Sequence, residues 1–306
     1  MSDTPSPAAT IAGFVDLLTV RPAGTDAYAG IPQTGGVGRV FGGQVVAQAL
    51  QAAQATAPSD DRGGMIAHSL HAYFLRGGTE GIDTQFEVSR DLDGRSFANR
   101  RVTARQDGET ILTLTASFQR PEQGLAHQQP EMPDVPPPED LVPDSELRRE
   151  MVARSWDRMT EAQRALALRP RPLETRTVGK LHWMNTEPRA PFSQTWLRTI
   201  APLPDDPALH RAAIAYASDY TLLGTSALPH GLSMVHGELN AASLDHALWF
   251  HGDARADDWL LYVTESPWSG AGRGFNRGHI FDRAGNLVAS VAQEGMIRQR
   301  PRAAQP

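Results

Sequence analysis

The sequence contains no cysteine among its 306 residues. A thiol nucleophile, a disulfide framework and cysteine-ligated metal sites are therefore excluded. The chain also lacks an apolar run approaching the roughly 20 residues of a membrane span. Its N-terminus, Met1 to Pro7, lacks the basic segment of a signal peptide. Together these absences predict a cytoplasmic protein without a membrane span.

Three other signatures are missing. The 29 basic residues are scattered along a chain of net charge −6, which gives no electrostatic case for a nucleic-acid partner. Neither Gly224-Thr-Ser226 nor Gly231-Leu-Ser233 is completed by the glycine that a nucleophile elbow requires, which argues against an α/β-hydrolase. The pair His68 and His71 would point to opposite faces of a strand, so no metal site is predicted.

The length and composition fit two globular domains, since 40% of the residues are hydrophobic and 21% are charged. A proline-rich, acidic stretch from Pro121 to about Asp144 reads as an extended linker. A helix is expected to follow it, from Ser145 to about Leu168. The predicted organisation is an N-terminal unit (residues 1–120), a linker with a helix (121–175) and a C-terminal unit (176–306).

One stretch of the first unit has helical spacing. From Phe41 to Ala57, apolar side chains recur at intervals of three or four residues, and Ala and Gln between them favour a helix. The pair Gly42-Gly43 at its start would let a backbone or a ligand approach closely. We predict a mostly buried helix there, preceded by a shorter one from Ile11 to Leu18.

Downstream, the apolar period changes to two. Asp93-Gly94 and Asp107-Gly108 separate the alternating segments and are typical of hairpin turns. A helix followed by antiparallel strands is an α+β unit. A second helix is expected to start near Ser218 or Asp219 as N-cap. The predicted strands are Ile82 to Arg90, Phe97 to Ala104, Ile111 to Phe118, Ser243 to Phe250, Trp259 to Glu265, Arg273 to Phe281 and Leu287 to Met296.

The two units look like copies of each other. His71-Ala72 is echoed by His246-Ala247, 175 residues later. The turn glycines Gly108 and Gly285 follow Arg95 and Arg273 by 13 and 12 residues, as a single deletion would produce. The duplicated unit fits an α+β double hotdog, in which each of two tandem antiparallel sheets wraps around a long helix.

The aligned copies differ where polar chemistry is possible. Gln44 corresponds to Asp219, His68 to Ser243 and Ala116 to Gln293. Taken singly, each residue of the second copy has an ordinary structural explanation: a helix cap, a strand-end hydroxyl and an exposed polar side chain. Taken together, they are a carboxylate that can accept a proton from water and two groups that can orient that water.

This trio contains no histidine. Direct attack by water on a reactive acyl group, such as a thioester, is therefore favoured, with a helix N-terminus at Asp219 to stabilise an oxyanion. The alternative, Ser243 as a covalent nucleophile, would need a base that the spacing does not provide.

Several stretches in this order resemble the acyl-CoA thioesterase II family. They are Phe41 to Leu50, His68 to Arg76, Tyr216 to Tyr220, Ser243 to His251, Trp259 to Tyr262, Arg273 to Phe275 and Gln293 to Gly295. The resemblance implies a double hotdog that hydrolyses fatty acyl-CoA to fatty acid and CoA without a cofactor or metal, as a homo-oligomer. It also implies that Asp219, Gln293 and a threonine position, occupied here by Ser243, activate the hydrolytic water.

The role of Ser243, the substrate-binding residues and the reaction type have alternatives in the sequence. Ser243 keeps the hydroxyl of threonine but loses the methyl group that limits its rotamers. Gly43, Gln44 and His68 are candidates for substrate binding, although His68 is equally well explained as a hydrogen-bonded strand-end residue. A hotdog dehydratase or hydratase using His68 or His246 is one alternative function, and a non-catalytic acyl-CoA binding protein is another.

Overall fold

The computed structural model describes residues 5–33, 36, 38–61, 63–181, 187–232 and 238–300. Within these ranges no helix has the length and apolarity to cross a membrane. The five α-helices described are α1 (Pro7–Leu18), α2 (Gly42–Gln54), α3 (Asp144–Arg154), α4 (Glu161–Leu168) and α5 (Pro207–Ser218).

The first half of the chain contributes eight strands. They are β1 (Val20–Gly24), β2 (Ala27–Gly30), β3 (Ser59–Asp60), β4 (Gly63–Gly64), β5 (Ile66–Phe74), β6 (Thr84–Asp93), β7 (Phe97–Gln106) and β8 (Glu109–Gln119). The second half contributes β9 (Leu173–Thr177), β10 (Phe192–Thr199), β11 (Leu239–Ser243), β12 (Asp245–Phe250), β13 (Leu260–Gly270), β14 (Arg273–Phe281) and β15 (Leu287–Gln299). The predicted segments in the meanders are confirmed, except that the predicted strand from Ser243 to Phe250 is divided between the end of β11 and β12. The strands β1 to β4, β9, β10 and most of β11 were not predicted.

One continuous sheet runs through both halves. Its order is β1-β2-β6-β7-β8-β5-β12-β15-β14-β13-β10-β9, with β11 paired to β15, and the described pairings are antiparallel. This order is pseudo-symmetric about its centre. Counted outward from the centre, β5, β8, β7, β6, β2 and β1 of the first half correspond to β12, β15, β14, β13, β10 and β9 of the second half. The centre is the β5–β12 pair, in which Ala72 lies opposite His246 and His71 opposite Ala247. The predicted duplication of an α+β unit therefore shows in the topology.

The sheet encloses α2 and α5, which pack against each other. The side of α2 that faces the core is built largely from alanines without solvent exposure, among them Ala49 and Ala53, and α5 contributes Ala212 and Ala213 in the same way. Small side chains let the strands approach the helix axis closely, and the burial of the apolar surface supplies the main stabilising free energy.

The linker is part of this fold. Its extended segment packs across the outer face of the C-terminal strands, where Trp196 Nε1 donates to the Pro136 carbonyl over 3.0 Å. The helix predicted from Ser145 to Leu168 is divided into α3 and α4. The sequence signal for the break is Thr160-x-x-Gln163, which forms a capping box at the start of α4.

The predicted alignment of His71 with His246 is wrong, because the two residues are not structurally equivalent. His246 points inward and is fully buried, whereas His71 is exposed and packs edge-on against Trp249. Side chains of a strand alternate between its faces, so a buried residue and an exposed residue cannot occupy equivalent positions of the two copies. The repeat is real as an order of elements, but its alignment slips by a residue in this strand.

Candidate active site

Asp219, Ser243 and Gln293 come together beside a pocket of about 550 Å³. Asp219 caps the C-terminus of α5, Ser243 ends β11 and Gln293 lies in β15. Asp219 and Ser243 line the pocket, whereas Gln293 contacts Asp219 from a fully buried position. The three residues predicted from the sequence therefore form one group.

The carboxylate of Asp219 accepts several hydrogen bonds. Gln293 Nε2 donates to Oδ1 over 2.6 Å, and the Ser243 hydroxyl and the Gly43 N–H also donate. Burial raises the pKa of Asp219 to about 6, although these hydrogen bonds act in the opposite direction. The group is therefore ionised at neutral pH and still basic enough to take up a proton.

The surroundings of the Gln293 amide fix its orientation. Its Nε2 donates one hydrogen to Asp219 and the other to His246 Nδ1 over 3.0 Å. The reversed amide would place its oxygen against the carboxylate, where both atoms are acceptors. The Oε1 atom is buried, and no donor of the described residues lies within hydrogen-bond distance of it.

The same network fixes the tautomer of His246. Since Nδ1 accepts from Gln293, the ring proton lies on Nε2 and is donated to Ser218 Oγ over 2.8 Å. The Ser218 hydroxyl in turn donates to the Ala215 carbonyl over 2.9 Å. Burial lowers the pKa of His246 to about 4, so the ring is neutral at physiological pH. Both ring nitrogens are occupied, and His246 cannot serve as the base for a nucleophilic Ser243.

The predicted helix N-terminus at Asp219 is wrong. Helix α5 ends at Ser218, and its start is signalled earlier by Asp206 as N-cap and Pro207 as first residue. The N-terminus that reaches the carboxylate belongs to α2 of the other half. A β-carbon added to Gly42 would lie 2.7 Å from Asp219 Oδ2. The positive end of a helix dipole is thus present, supplied by a different helix.

The close approach of Gly42 to Asp219 predicts that Gly42→Ala lowers kcat. The added methyl group would collide with Asp219 Oδ2 and lie 3.1 Å from the Phe74 ring, so the carboxylate must move. We expect kcat to fall by about tenfold or more, since misplacing a reacting group by even 1 Å is costly. Gly13→Ala in α1 is the matched control, because a β-carbon there meets nothing within 4 Å. Equal kcat values for the two variants would contradict the proposed position of the base.

The three residues predicted to bind substrate have different surroundings. Gly43 contacts Asp219 through its N–H, and a β-carbon there would lie 2.5 Å from the Tyr216 carbonyl. Gln44 lines the pocket and donates to the Ile31 carbonyl over 3.3 Å. His68 is not brought to the pocket: its Nε2 lies 2.8 Å from Ser117 Oγ.

Sequence reasoning missed part of this site. The contact between Gly42 and Asp219 was signalled only by the glycine pair at a helix start. His246 was interpreted as a structural anchor, and its hydrogen bonds to Gln293 and Ser218 depend on three elements that are distant in the chain. The Tyr262 hydroxyl, which donates to the Ser218 carbonyl over 2.8 Å, has no local signal at all.

Comparison with known proteins decides the family. Two family models match, acyl-CoA thioesterase over residues 169–296 and acyl-CoA thioesterase N-terminal domain over residues 31–119. Acyl-coenzyme A thioesterase 8 of Rattus norvegicus is 36% identical over 94% of this chain and 89% of its own. Acyl-CoA thioesterase 2 of Haemophilus influenzae is 34% identical over 93% of this chain and 96% of its own. The chain belongs to the acyl-CoA thioesterase family.

A solved structure extends the match from sequence to fold. The acyl-CoA thioesterase II TesB2 of Mycobacterium marinum has a TM-score of 0.73 with this thioesterase at 38% identity, over 93% of this chain and 98% of that one. The predicted double hotdog is confirmed. The predicted class of enzyme, a thioester hydrolase, is confirmed as well.

Proposed function

We propose that this thioesterase hydrolyses acyl-CoA by direct attack of water, with Asp219 as general base. A water hydrogen-bonded to Asp219 and Ser243 attacks the thioester carbonyl and gives its proton to the carboxylate. The C–S bond then breaks, and the proton passes to the departing thiolate, which yields a free acid and CoA. The N-terminus of α2 stabilises the negative charge that develops on the carbonyl oxygen.

The observation that carries this proposal is the 2.6 Å hydrogen bond from Gln293 to Asp219. It fixes the orientation of the carboxylate, which lines the pocket together with Ser243. His246 does not line the pocket and acts through Gln293, whose amide it holds in one orientation. We therefore assign His246 the role of a positioning residue.

The geometry disfavours the dehydratase alternative. A hotdog dehydratase would need a histidine at the reacting carbon, but His246 is fully buried with both ring nitrogens occupied. His68 is not among the residues that line the pocket. The pocket residues Asp219 and Ser243 favour hydrolysis over elimination.

A panel of saturated and 2-enoyl-CoA thioesters tests the proposed function. Free thiol and alkene absorbance are followed in the same reactions, so hydrolysis and hydration are distinguished. We expect thiol release with saturated fatty acyl-CoA and no separate loss of the alkene with 2-enoyl-CoA. Alkene loss without thiol release would support the dehydratase or hydratase, and binding without turnover would support the acyl-CoA binding protein.

The raised pKa of Asp219 predicts the pH dependence of hydrolysis. The base must be ionised, so kcat/KM is expected to rise with pH, reach half its maximum near pH 6 and level off above it. Initial rates at low substrate concentration, measured between about pH 5 and 8 in buffers of constant ionic strength, give this profile. A profile that is flat over this interval would contradict Asp219 as the base.

Three further expectations stay predictions. The homo-oligomeric state can be measured by light scattering coupled to size-exclusion chromatography, and the cytoplasmic location by fractionation. The unit boundaries at residues 120 and 176 can be compared with limited proteolysis. The strand β9 begins at Leu173, close to the second of these boundaries.

A further inference from the structure

Arginines without acidic partners gather around the pocket. Arg39, Arg169 and Arg171 line it together with Asp219 and Ser243. No described carboxylate lies within ion-pair distance of any of these three arginines, although many other arginines of the chain form such pairs. The protein carries a net charge of −6, so this concentration of positive charge is a local property of the pocket.

A fourth arginine lies close to this group. Arg148 of α3 is 8% exposed and has no hydrogen bond or ion pair among the described residues. Burial lowers the pKa of Arg148, and the positive charge of Arg171 lowers it further. The neighbouring carboxylate of Asp144 is already occupied by Thr175 and Thr177. A buried, unpaired guanidinium next to another cation costs free energy that an anion would offset.

The acidic residues of the pocket do not neutralise these arginines. Glu80 accepts hydrogen bonds from the backbone N–H groups of Gly36 and Gly38, and Asp219 is engaged by Gln293. Arg171 donates to the hydroxyl of Tyr220, which leaves most of its N–H groups available. Arg39 and Arg169 make no side-chain hydrogen bond in the described part of the chain.

We propose that Arg39, Arg169 and Arg171, supported by Arg148, bind the phosphate groups of the CoA part of the substrate. This inference rests on the proposed function. The acyl chain is apolar and the pantetheine arm is uncharged, so the phosphates are the part of an acyl-CoA that unpaired arginines can recognise. Guanidinium groups suit this role because their N–H groups match phosphate oxygens in pairs. The pocket extends from these arginines to Asp219, which allows one ligand to contact both.

Most of the arginines proposed to bind phosphate lie in the linker. Arg148 belongs to α3, Arg169 follows α4, and Arg171 lies just before β9, so three of the four arginines come from the segment between the two hotdog units. The fourth, Arg39, comes from the loop before α2. We expect the linker to determine selectivity for CoA over thioesters that lack phosphate.

Two thioesters of the same carboxylic acid distinguish an effect on phosphate recognition from an effect on the hydrolysis step. One is the acyl-CoA, and the other is the acyl thioester of N-acetylcysteamine, which has no phosphate. In Arg39→Gln, Arg169→Gln and the double variant, KM for acyl-CoA is expected to rise by about tenfold per arginine, as the loss of one charge-assisted hydrogen bond implies. The kcat/KM for the N-acetylcysteamine thioester should not change. Arg101→Gln on the exposed face of β7, where Arg101 pairs with Asp91, is the control.

Calorimetric titration of CoA into wild type and the double variant gives a readout without turnover, and the Kd for CoA should rise in parallel with KM. The inference is overturned if the double variant keeps the wild-type KM and Kd, or if both thioesters lose the same factor. Failure of the proposed function would look different, because wild type would then hydrolyse neither thioester.

Discussion

Asp219→Asn is expected to lower kcat for acyl-CoA by about a hundredfold to ten-thousandfold, the usual contribution of a positioned general base. The carboxamide has nearly the shape of the carboxylate and can still accept from Gln293, so the pocket should keep its form. Because the base acts in the chemical step, KM should change little. Thiol release under saturating acyl-CoA measures this loss directly.

A second buried carboxylate provides the control. Asp144 is 4% exposed and accepts hydrogen bonds from Thr175 and Thr177, outside the residues that line the pocket. Asp144→Asn is expected to reduce stability and to leave kcat of the folded enzyme unchanged. If Asp219→Asn kept full activity, or if both variants lost activity in proportion to their unfolding, the proposed mechanism would fail.

Asp219→Asn should preserve or raise the stability of the folded protein, although it lowers activity. The pKa of Asp219 is about 6 in the folded protein and about 4 when unfolded, so the unfolded state loses its proton first as the pH rises. Ionisation of Asp219 therefore removes stability between about pH 4 and 6, on the order of 3 kcal/mol. Asp219→Asn is free of this cost, and its thermal midpoint at pH 8 should equal or exceed that of wild type.

Sequence periodicity was sufficient to predict the strands and the helix whose buried residues recur at regular intervals. Strands β6, β7 and β8 alternate between buried and exposed residues and are separated by Asp-Gly turns, so both the period and the breaks were visible. Helix α2 was visible because its apolar spacing is dense and regular. In these stretches the local pattern and the tertiary packing require the same structure.

The pattern failed where the structure depends on partners far away in the chain. Strands β1 and β9 are short and lie at the ends of the sheet order, where pairing with a single neighbour replaces a hydrophobic pattern. The end of α5 was misplaced because Asp219 resembles an N-cap and also follows a good helix. Only the contact with α2 of the other half shows which helix end reaches the carboxylate.

Asp219, Ser243 and Gln293 were predicted from an alignment of the two copies that is partly wrong. The pairing of Ala116 with Gln293 is consistent with the structure, since both are buried on the corresponding strands β8 and β15. Gln44 and Asp219 are not, because one starts α2 and the other follows α5. The family resemblance implies the same three residues independently of this alignment. Spacing in one sequence locates a repeat to within a residue or two, which is too coarse when neighbouring side chains face opposite sides of a sheet.

His246→Leu is expected to lower kcat by about tenfold to a hundredfold although His246 does not line the pocket. Leucine removes the acceptor for one Gln293 hydrogen and the donor to Ser218, so the amide is no longer held toward Asp219. The Gln293 hydrogen bond lowers the pKa of Asp219, and its loss should shift the rising limb of the pH profile above pH 6. Both quantities come from kcat and kcat/KM measured across pH.

A purely structural histidine would behave differently. His246→Asn offers an oxygen near the position of Nδ1, so it should retain more activity and a smaller shift of the pH limb than His246→Leu. His210→Leu is the matched control, since His210 is 4% exposed and accepts from the Ala256 N–H outside the pocket. It should lose stability without moving the pH profile. If His246→Leu did the same, the orientation of Gln293 would not depend on His246, and the chain of hydrogen bonds from Ser218 to Asp219 would serve folding alone.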